Sequence, residues 1–407
     1  MKTELRRCTA AEFGHYLRVC ESAFGRGVAE QDIARWSQVV DPARLVGAFD
    51  GGNLVGTAGA YALTVTVPGG TAAAAGVTMV GLLPSHRRRG IFKLLMHELL
   101  DDARRNGELL VILWAAEGGI YPQFGFGLGS KNAKIDIETS SSLFTAGHEP
   151  VGRSRVIDLK DSRDVLPPIY DRVRLETPGM LKRSPQWWDA YRLDDPESER
   201  GGGGPLHCCV IALGDRDEAY ALYRFYPRYE HRLHHDSLEV IEVMATTPVA
   251  TREIWRYVLS MDLVERVRAD FLPEDHELLL MLAEPGRLRL TLADGLWLRL
   301  IDVQAALRAR TFAGTGSLIL EIRDRICAWN DGCLQIDAQP DGARVERTDA
   351  NAELSLDVSD LANVYLGAFT FMDLLHAGRL EELSEGAALR ASLLFQRRRA
   401  PWCPEVI

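Results

Sequence analysis

The 407-residue chain has no uninterrupted apolar stretch long enough to span a bilayer, which excludes a helical membrane protein. Its first residues, MKTELRRCTAAEF, contain no apolar leader-like segment, so a cytoplasmic protein is expected. The seven cysteines (Cys8, Cys20, Cys208, Cys209, Cys327, Cys333 and Cys403) are odd in number, irregularly spaced and without a CxxC pair. That argues against a disulfide framework and against a zinc site, and leaves reduced thiols. Neither a GxSxG elbow nor an HExxH pair occurs, which counts against hydrolase chemistries. Basic clusters are scarce, confined to 86–89 and 396–399, and the formal charge is -10, so no nucleic-acid partner is expected. What is present is ordinary globular material, 46% hydrophobic and 26% charged, in a chain long enough for two or three domains.

The most informative segment is 76–129. Val77 to Leu83 is a β-rich apolar run ending at Pro84, and after the turn Ser85 to Gly90 the residues Ile91, Leu94, Leu95, Met96, Leu99 and Leu100 recur at helical spacing. The connecting loop carries Arg87, Arg88 and Arg89. Free N–H groups at a helix start, the positive end of its dipole and a glycine without a side chain make an anion site, and arginines add charge-assisted donors. Leu109 to Ala115 then reads as a strand buried on both faces. Taken alone, the basic turn could equally be a solvated surface. Gly125-x-Gly127-x-Gly129 precedes the strand-like KNAKIDIET instead of opening a helix, so it reads as a turn and not as a dinucleotide fingerprint.

The spacing Arg87-x-x-Gly90 after a strand is the one GCN5-related acetyltransferases use around the pyrophosphate of acetyl-CoA, with Phe92 standing where that pattern has Gly or Ala. The longer string PSHRRRGIFKLL, followed after one helix and one strand by AAEGGIYPQFGFG, resembles the Eis (enhanced intracellular survival) family of N-acetyltransferases. Further matches lie at AYALYR (219–224), DGLWLRLIDVQAALRAR (294–310) and VYLGAF (364–369). The resemblance implies α/β and α+β architecture: tandem GNAT-like domains, the second degenerate, followed by a sterol-carrier-protein-like domain. The expected boundaries are 1–135, 136–290 and 291–407. In the first, 8–41 reads as helical and 44–67 as strands around Asp50-Gly51-Gly52-Asn53. In the second, helices are read at 165–174, 185–193 and 250–265, and strands at 207–213, 218–225 and 237–244. In the third, three strands precede helices at Val358 to Leu374 and Gly386 to Leu394, an α+β order. Phe369, Phe371, Leu374 and Leu375 there could line a lipid tunnel or simply pack a core.

The resemblance implies acetyl-CoA as co-substrate, no metal, and direct transfer to a small-molecule amine, polyamine-like, with aminoglycosides among the candidates. It also implies a homo-hexamer. The backbone of Val80, Gly81 and Leu82 would hydrogen-bond the acetyl carbonyl and pantetheine arm; Arg88, Arg89, Gly90, Ile91, Phe92 and Lys93 would hold the pyrophosphate; Ala116 and Glu117 would flank the cofactor. Tyr121 would be the general acid, although it could instead pack beside Phe124 and Phe126. The C-terminal carboxylate of Ile407 would be the general base, with Glu405 lining the amine pocket or competing as base. Phe24, Trp36 and Met79 are candidate pocket walls. Arg26 stands where the best-known members carry an acid, which puts broad aminoglycoside acceptance in question. The alternative from another class is a catalytically silent acyl-CoA- or lipid-binding protein. His231, His234 and His235 with Asp236 read as surface residues before a metal site, and at most one of Cys208 and Cys209 could face a site from one strand.

Overall fold

The computed structural model describes residues 3–145, 149–231 and 233–407. The first sheet has seven strands. Five come from the N-terminal third: β1 (Glu4–Arg7), β2 (Leu45–Asp50), β3 (Asn53–Val67), β4 (Gly70–Leu82) and β5 (Leu110–Trp114). All neighbours among them are antiparallel except β4 and β5, which run parallel and are registered only from Ala74–Leu110 to Gly76–Ile112. Beyond that they part.

Two helices, α1 (Phe13–Ala23) and α2 (Glu30–Trp36), cover one face of the sheet, so the helical reading of 8–41 resolves into two short helices around Gly25 and Gly27. The other face takes α3 (Ile91–Arg105), whose Ile91, Leu95, Met96, Leu99, Leu100 and Ala103 form the buried stripe expected of a 3.6-residue period. Arg104 and Arg105 in its last turn suit the negative end of its dipole. Buried Arg44 ties α3 to the sheet, donating to Asp102 at 2.8 Å and to Glu108 at 2.7 and 2.8 Å.

The chain then exchanges strands between sheets. Lys131–Glu138 lies in a second seven-stranded sheet, against Val264–Leu272 and Thr291–Asp294. Leu296–Leu300 returns to the first sheet, antiparallel to β5, and carries the short strand Gly127–Leu128 on its far side. Boundaries at 135 and 290 therefore cut across the layers, because the 131–138 strand is one element of the second sheet and 296–300 completes the first. In the second sheet Asp236–Ala245 and Val264–Leu272 also run parallel, followed and joined by the helix Pro248–Leu259. The helical reading of 250–265 thus ends at Leu259, and the pairing strand that follows was missed. Residues 185–193 become one helical turn and a π-helix, Trp188–Arg192.

The third unit is a five-stranded sheet built on Gly316–Arg323, with helices Val358–Tyr365, Phe371–His376 and Ala387–Leu394. Its core includes Phe371 and Leu374, with Phe369 and Leu375 packed at the edge. The 125–129 glycines serve close approach: a Cβ on Gly127 would stand 2.1 Å from the Ser359 carbonyl oxygen, and Asn363 accepts the Leu128 N–H at 2.6 Å. Gly127→Ala should therefore wedge the first and third units apart at a cost of about 1–3 kcal/mol. Thermal unfolding at the wild-type midpoint would reject this account.

Candidate active site

Where β4 and β5 part, β4 also carries a bulge. Thr57 faces Gly81 and Gly59 faces Thr78, so Met79 and Val80 have no cross-strand partner, and Met79 sits at φ 53°. The fully buried Thr57 hydroxyl pins this bulge: it donates to the Met79 carbonyl at 2.8 Å and accepts the Gly81 N–H at 3.2 Å. Gly81 is thus an anchor and not a free donor, and its missing side chain makes room for α1, since a Cβ would lie 3.1 Å from the Cys20 backbone. That corrects the reading in which Gly81 faces the cofactor. Val80 and Leu82 pack toward the α3 side, and Met79 toward α1 and α2.

The basic turn divides its labour. Arg87 is tied down, its guanidinium donating to the Ala23 carbonyl at 2.7 Å and to Leu82 at 3.3 Å. Arg88, Arg89 and Lys93 are exposed and, among the described residues, pair with no acid. Gly90 caps α3 in the left-handed region at φ 80°, and a Cβ there would meet nothing within 4 Å. The first N–H groups of α3 and three unpaired cations consequently face open space, a fit for a pyrophosphate. Phe92 explains its departure from Gly or Ala. Its ring packs edge-on against Tyr121 and Phe124, at 6.3 and 5.6 Å between centroids.

Tyr121 sits between two single-turn helices just past the exposed Ala116 and Glu117, and it is buried with the α3-side cluster. Burial raises its phenol above the usual value, and the Glu117 charge adds to this. Ile407 lies on the opposite face. Its Cδ1 is 3.4 Å from where a Cβ on Gly76 would stand, beside the last paired residue before the opening. It packs in the cluster that holds Trp36, Met79, Tyr16, Tyr61, Trp187 and Tyr191. Tyr61 and Tyr191 share a 2.6 Å hydroxyl contact, and Trp187 stands edge-on to Tyr61 at 5.3 Å. Thr57, Tyr61, Trp187 and Tyr191 were not found from sequence; the Trp187-Trp188 pair before a helix end was the available signal.

Other candidates lie elsewhere. Phe24 and Arg26 are exposed at the end of α1, where Arg26 pairs with Glu21 at 2.8 Å and lies over the Phe24 ring. Glu405 is buried and clasped by Arg183 and Arg192, each at 2.5 Å, and by the Trp187 indole N–H at 3.1 Å. Burial alone would raise its carboxyl, but the two arginines outweigh it and bring it to about 2. A carboxylate so held is a poor proton acceptor, which counts against Glu405 as the base. His234 pairs with Asp236 and His235 with Glu265, two separate contacts.

The acetyltransferase (GNAT) domain family matches residues 4–129 and, as a second form, 179–300; the sterol carrier protein domain family matches 303–404. An uncharacterized N-acetyltransferase of Streptomyces avermitilis is 36% identical over 99% of both chains. The N-acetyltransferase Eis of Mycobacterium tuberculosis is 32% identical over 88% of both.

The chain belongs to the Eis family of GCN5-related N-acetyltransferases.

The crystal structure of Eis1 from Mycobacterium abscessus superposes over the whole of both chains with a TM-score of 0.85 at 29% identity. The protein is therefore an acetyltransferase of tandem GNAT domains and a sterol-carrier domain, not a silent binder. No described helix is long and apolar enough to cross a membrane. Thr57→Val, which keeps shape and leaves the Met79 carbonyl and Gly81 N–H unsatisfied, should cost about 1–3 kcal/mol and loosen the bulge. Chemical denaturation alongside steady-state kinetics tests this; unchanged stability would release Thr57 from the role.

Proposed function

We propose that this Eis-family enzyme transfers the acetyl group of acetyl-CoA directly to a primary amine of a polyamine-like small molecule, with Tyr121 as general acid and the Ile407 carboxylate as general base. The observation that carries the reading is the seating of the chain terminus beside Gly76, across the opened sheet from Tyr121. Bound acetyl-CoA supplies the thioester carbonyl that the amine attacks. Arg88, Arg89, Lys93 and the first N–H groups of α3 hold the pyrophosphate. Val80, freed from the ladder by the bulge, offers its backbone N–H toward developing oxyanion charge, typically the largest electrostatic term in acyl transfer. The Ile407 carboxylate takes the proton from the incoming ammonium, and the Tyr121 phenol gives one to the departing sulfur.

The walls around the terminus are Trp36, Met79, Tyr61 and Tyr191, and Arg26 is already paired to Glu21. This lining suits an amine with apolar groups better than a broad range of aminoglycosides. A cytoplasmic homo-hexamer belongs to the same reading.

Tyr121→Phe should leave acetyl-CoA binding near normal while turnover falls by about 10²–10⁴. Because the phenol is raised above its usual value near 10, it stays protonated through the physiological range. The wild-type turnover profile should therefore show no alkaline loss from this group below about pH 10. Full activity in Tyr121→Phe would return the ring to packing alone.

A carboxylate acting as base must stand within about 2.6–3.2 Å of the proton it takes, or one water away. Adding a few residues after Ile407 should abolish most turnover while acetyl-CoA affinity and the unfolding temperature hold. An N-terminal extension of equal length serves as the control, and undiminished turnover with the C-terminal extension would exclude the terminal carboxylate.

A further inference from the structure

The second sheet repeats the opening of the first. Its parallel strands Asp236–Ala245 and Val264–Leu272 are registered only from Asp236–Val264 to Val240–Ala269, while 264–272 pairs along its other edge with 131–138 from Arg266 to Leu272. In the first sheet the link from β4 to α3 is the eight-residue turn Leu83 to Gly90; here it is Thr246 and Thr247 alone. Thr247 satisfies the helix start itself, its hydroxyl accepting the Ala250 N–H at 3.1 Å, and Pro248 has no N–H to offer. The phosphate-binding half of the motif is gone, but the parted strands remain.

The chain's own C-terminal segment lies in the opening. Val243, Met244 and Ala245 of one strand, Thr251 and Trp255 of the following helix, and Pro273 and Asp275 to Glu277 beyond the other strand surround a small residual cavity of about 70 Å³ together with Arg399, Ala400 and Trp402. Backbone groups of the tail are held at alternate residues. The Ala400 N–H donates to Asp275 at 2.8 Å, the Trp402 N–H to the Pro178 carbonyl at 2.8 Å, and the Pro404 carbonyl accepts from Arg192 at 2.8 Å. The Trp402 side chain is buried with Met244, Tyr170 and Trp188. Gly179 at φ 95° makes room, since a Cβ would stand 2.9 Å from the Trp402 carbonyl oxygen.

Next along the tail is Glu405. Arg183, stacked over Tyr170 at 3.8 Å and Trp188 at 4.4 Å, bonds both Glu405 and Glu242, while Arg192 closes on Glu405 from the other side. Two arginines and two glutamates balance. Without the tail, two arginines would face Glu242 alone, and an uncompensated buried charge is strongly unfavourable. The cleft therefore selects an acidic side chain from the segment that fills it. Two residues reach at most about 7 Å, so the clasp on Glu405 confines the terminal carboxylate to a small volume.

We propose that the second domain's former cofactor cleft is a binding site for a peptide, the chain's own residues 399–405, and that Arg183, Arg192 and Trp187 act as positioning residues for the Ile407 carboxylate. The positioning clause rests on the terminal carboxylate being the base.

The test uses the full chain and two readouts: the rate at which carboxypeptidase releases Ile407 and Val406 from the native protein, and kcat against the KM for acetyl-CoA. Glu405→Gln should speed release at least tenfold and lower kcat by tenfold or more, with the KM for acetyl-CoA within twofold of wild type. Glu405→Asp keeps the charge one methylene short and should give the same pattern more weakly; it also serves if Glu405→Gln fails to fold. Release at the wild-type rate in the folded variants overturns the peptide site. Faster release with unchanged kcat supports the peptide site and overturns the terminal-base reading, so the two failures are distinguishable.

Discussion

Three residue pairs of parallel ladder between β4 and β5 decide the rest of this molecule. Parallel strands with a long crossover helix normally continue side by side, but here the pairing stops at Gly76 and Ile112. Backbone groups past that point have to find other partners, because a buried orphan costs about as much as a lost hydrogen bond. Thr57 takes two of them, on Met79 and Gly81, and so converts a break in the ladder into a fixed bulge. The Tyr121 side of the opening is closed by aromatic packing on α3. The other side is closed by α1, α2 and the chain terminus. A gap in one sheet thus leaves an opening flanked by packed side chains on two opposite faces.

The same gap recurs in the second sheet with a different fate. Shortening one connection to two threonines removes the anion site without disturbing the strands, and Thr247 and Pro248 satisfy the helix start without any ligand. Degeneracy here is local and chemical. The fold survives because its core, centred on Trp255, Ile254 and Val267, does not depend on the lost loop.

The strand, basic turn, helix and strand within 76–129 were legible in the sequence because they are contiguous and each has its own periodicity. The exposed turn before α3 could be read that way, whereas Arg87 could not be separated from Arg88 and Arg89, since its tether to Ala23 depends on where α1 ends. The acceptor side is assembled from residues far apart. Tyr61, Trp187, Tyr191 and Ile407 come from three regions of the chain, and no spacing rule joins them. Glu405 reads as a free acid in the sequence because the arginines that pair with it, 222 and 213 positions away, are not visible there. The exchange of strands between the two sheets was hidden for a related reason. The apolar run Leu296–Leu300 reads the same whichever sheet receives it, and only pairing to β5 decides.

That returning strand also imposes an order of events during synthesis. Until Leu300 leaves the ribosome, the outer edge of β5 presents unpaired N–H and C=O groups on one of the most apolar segments of the chain, Leu110 to Trp114. Roughly 190 residues separate the two strands, which at 5–20 residues per second leaves that edge open for about ten to forty seconds. Open apolar edges recruit other strands, so a nascent chain of this family passes through a period of aggregation risk that an independent N-terminal domain would avoid. The first domain begins the fold but is among the last parts to be sealed.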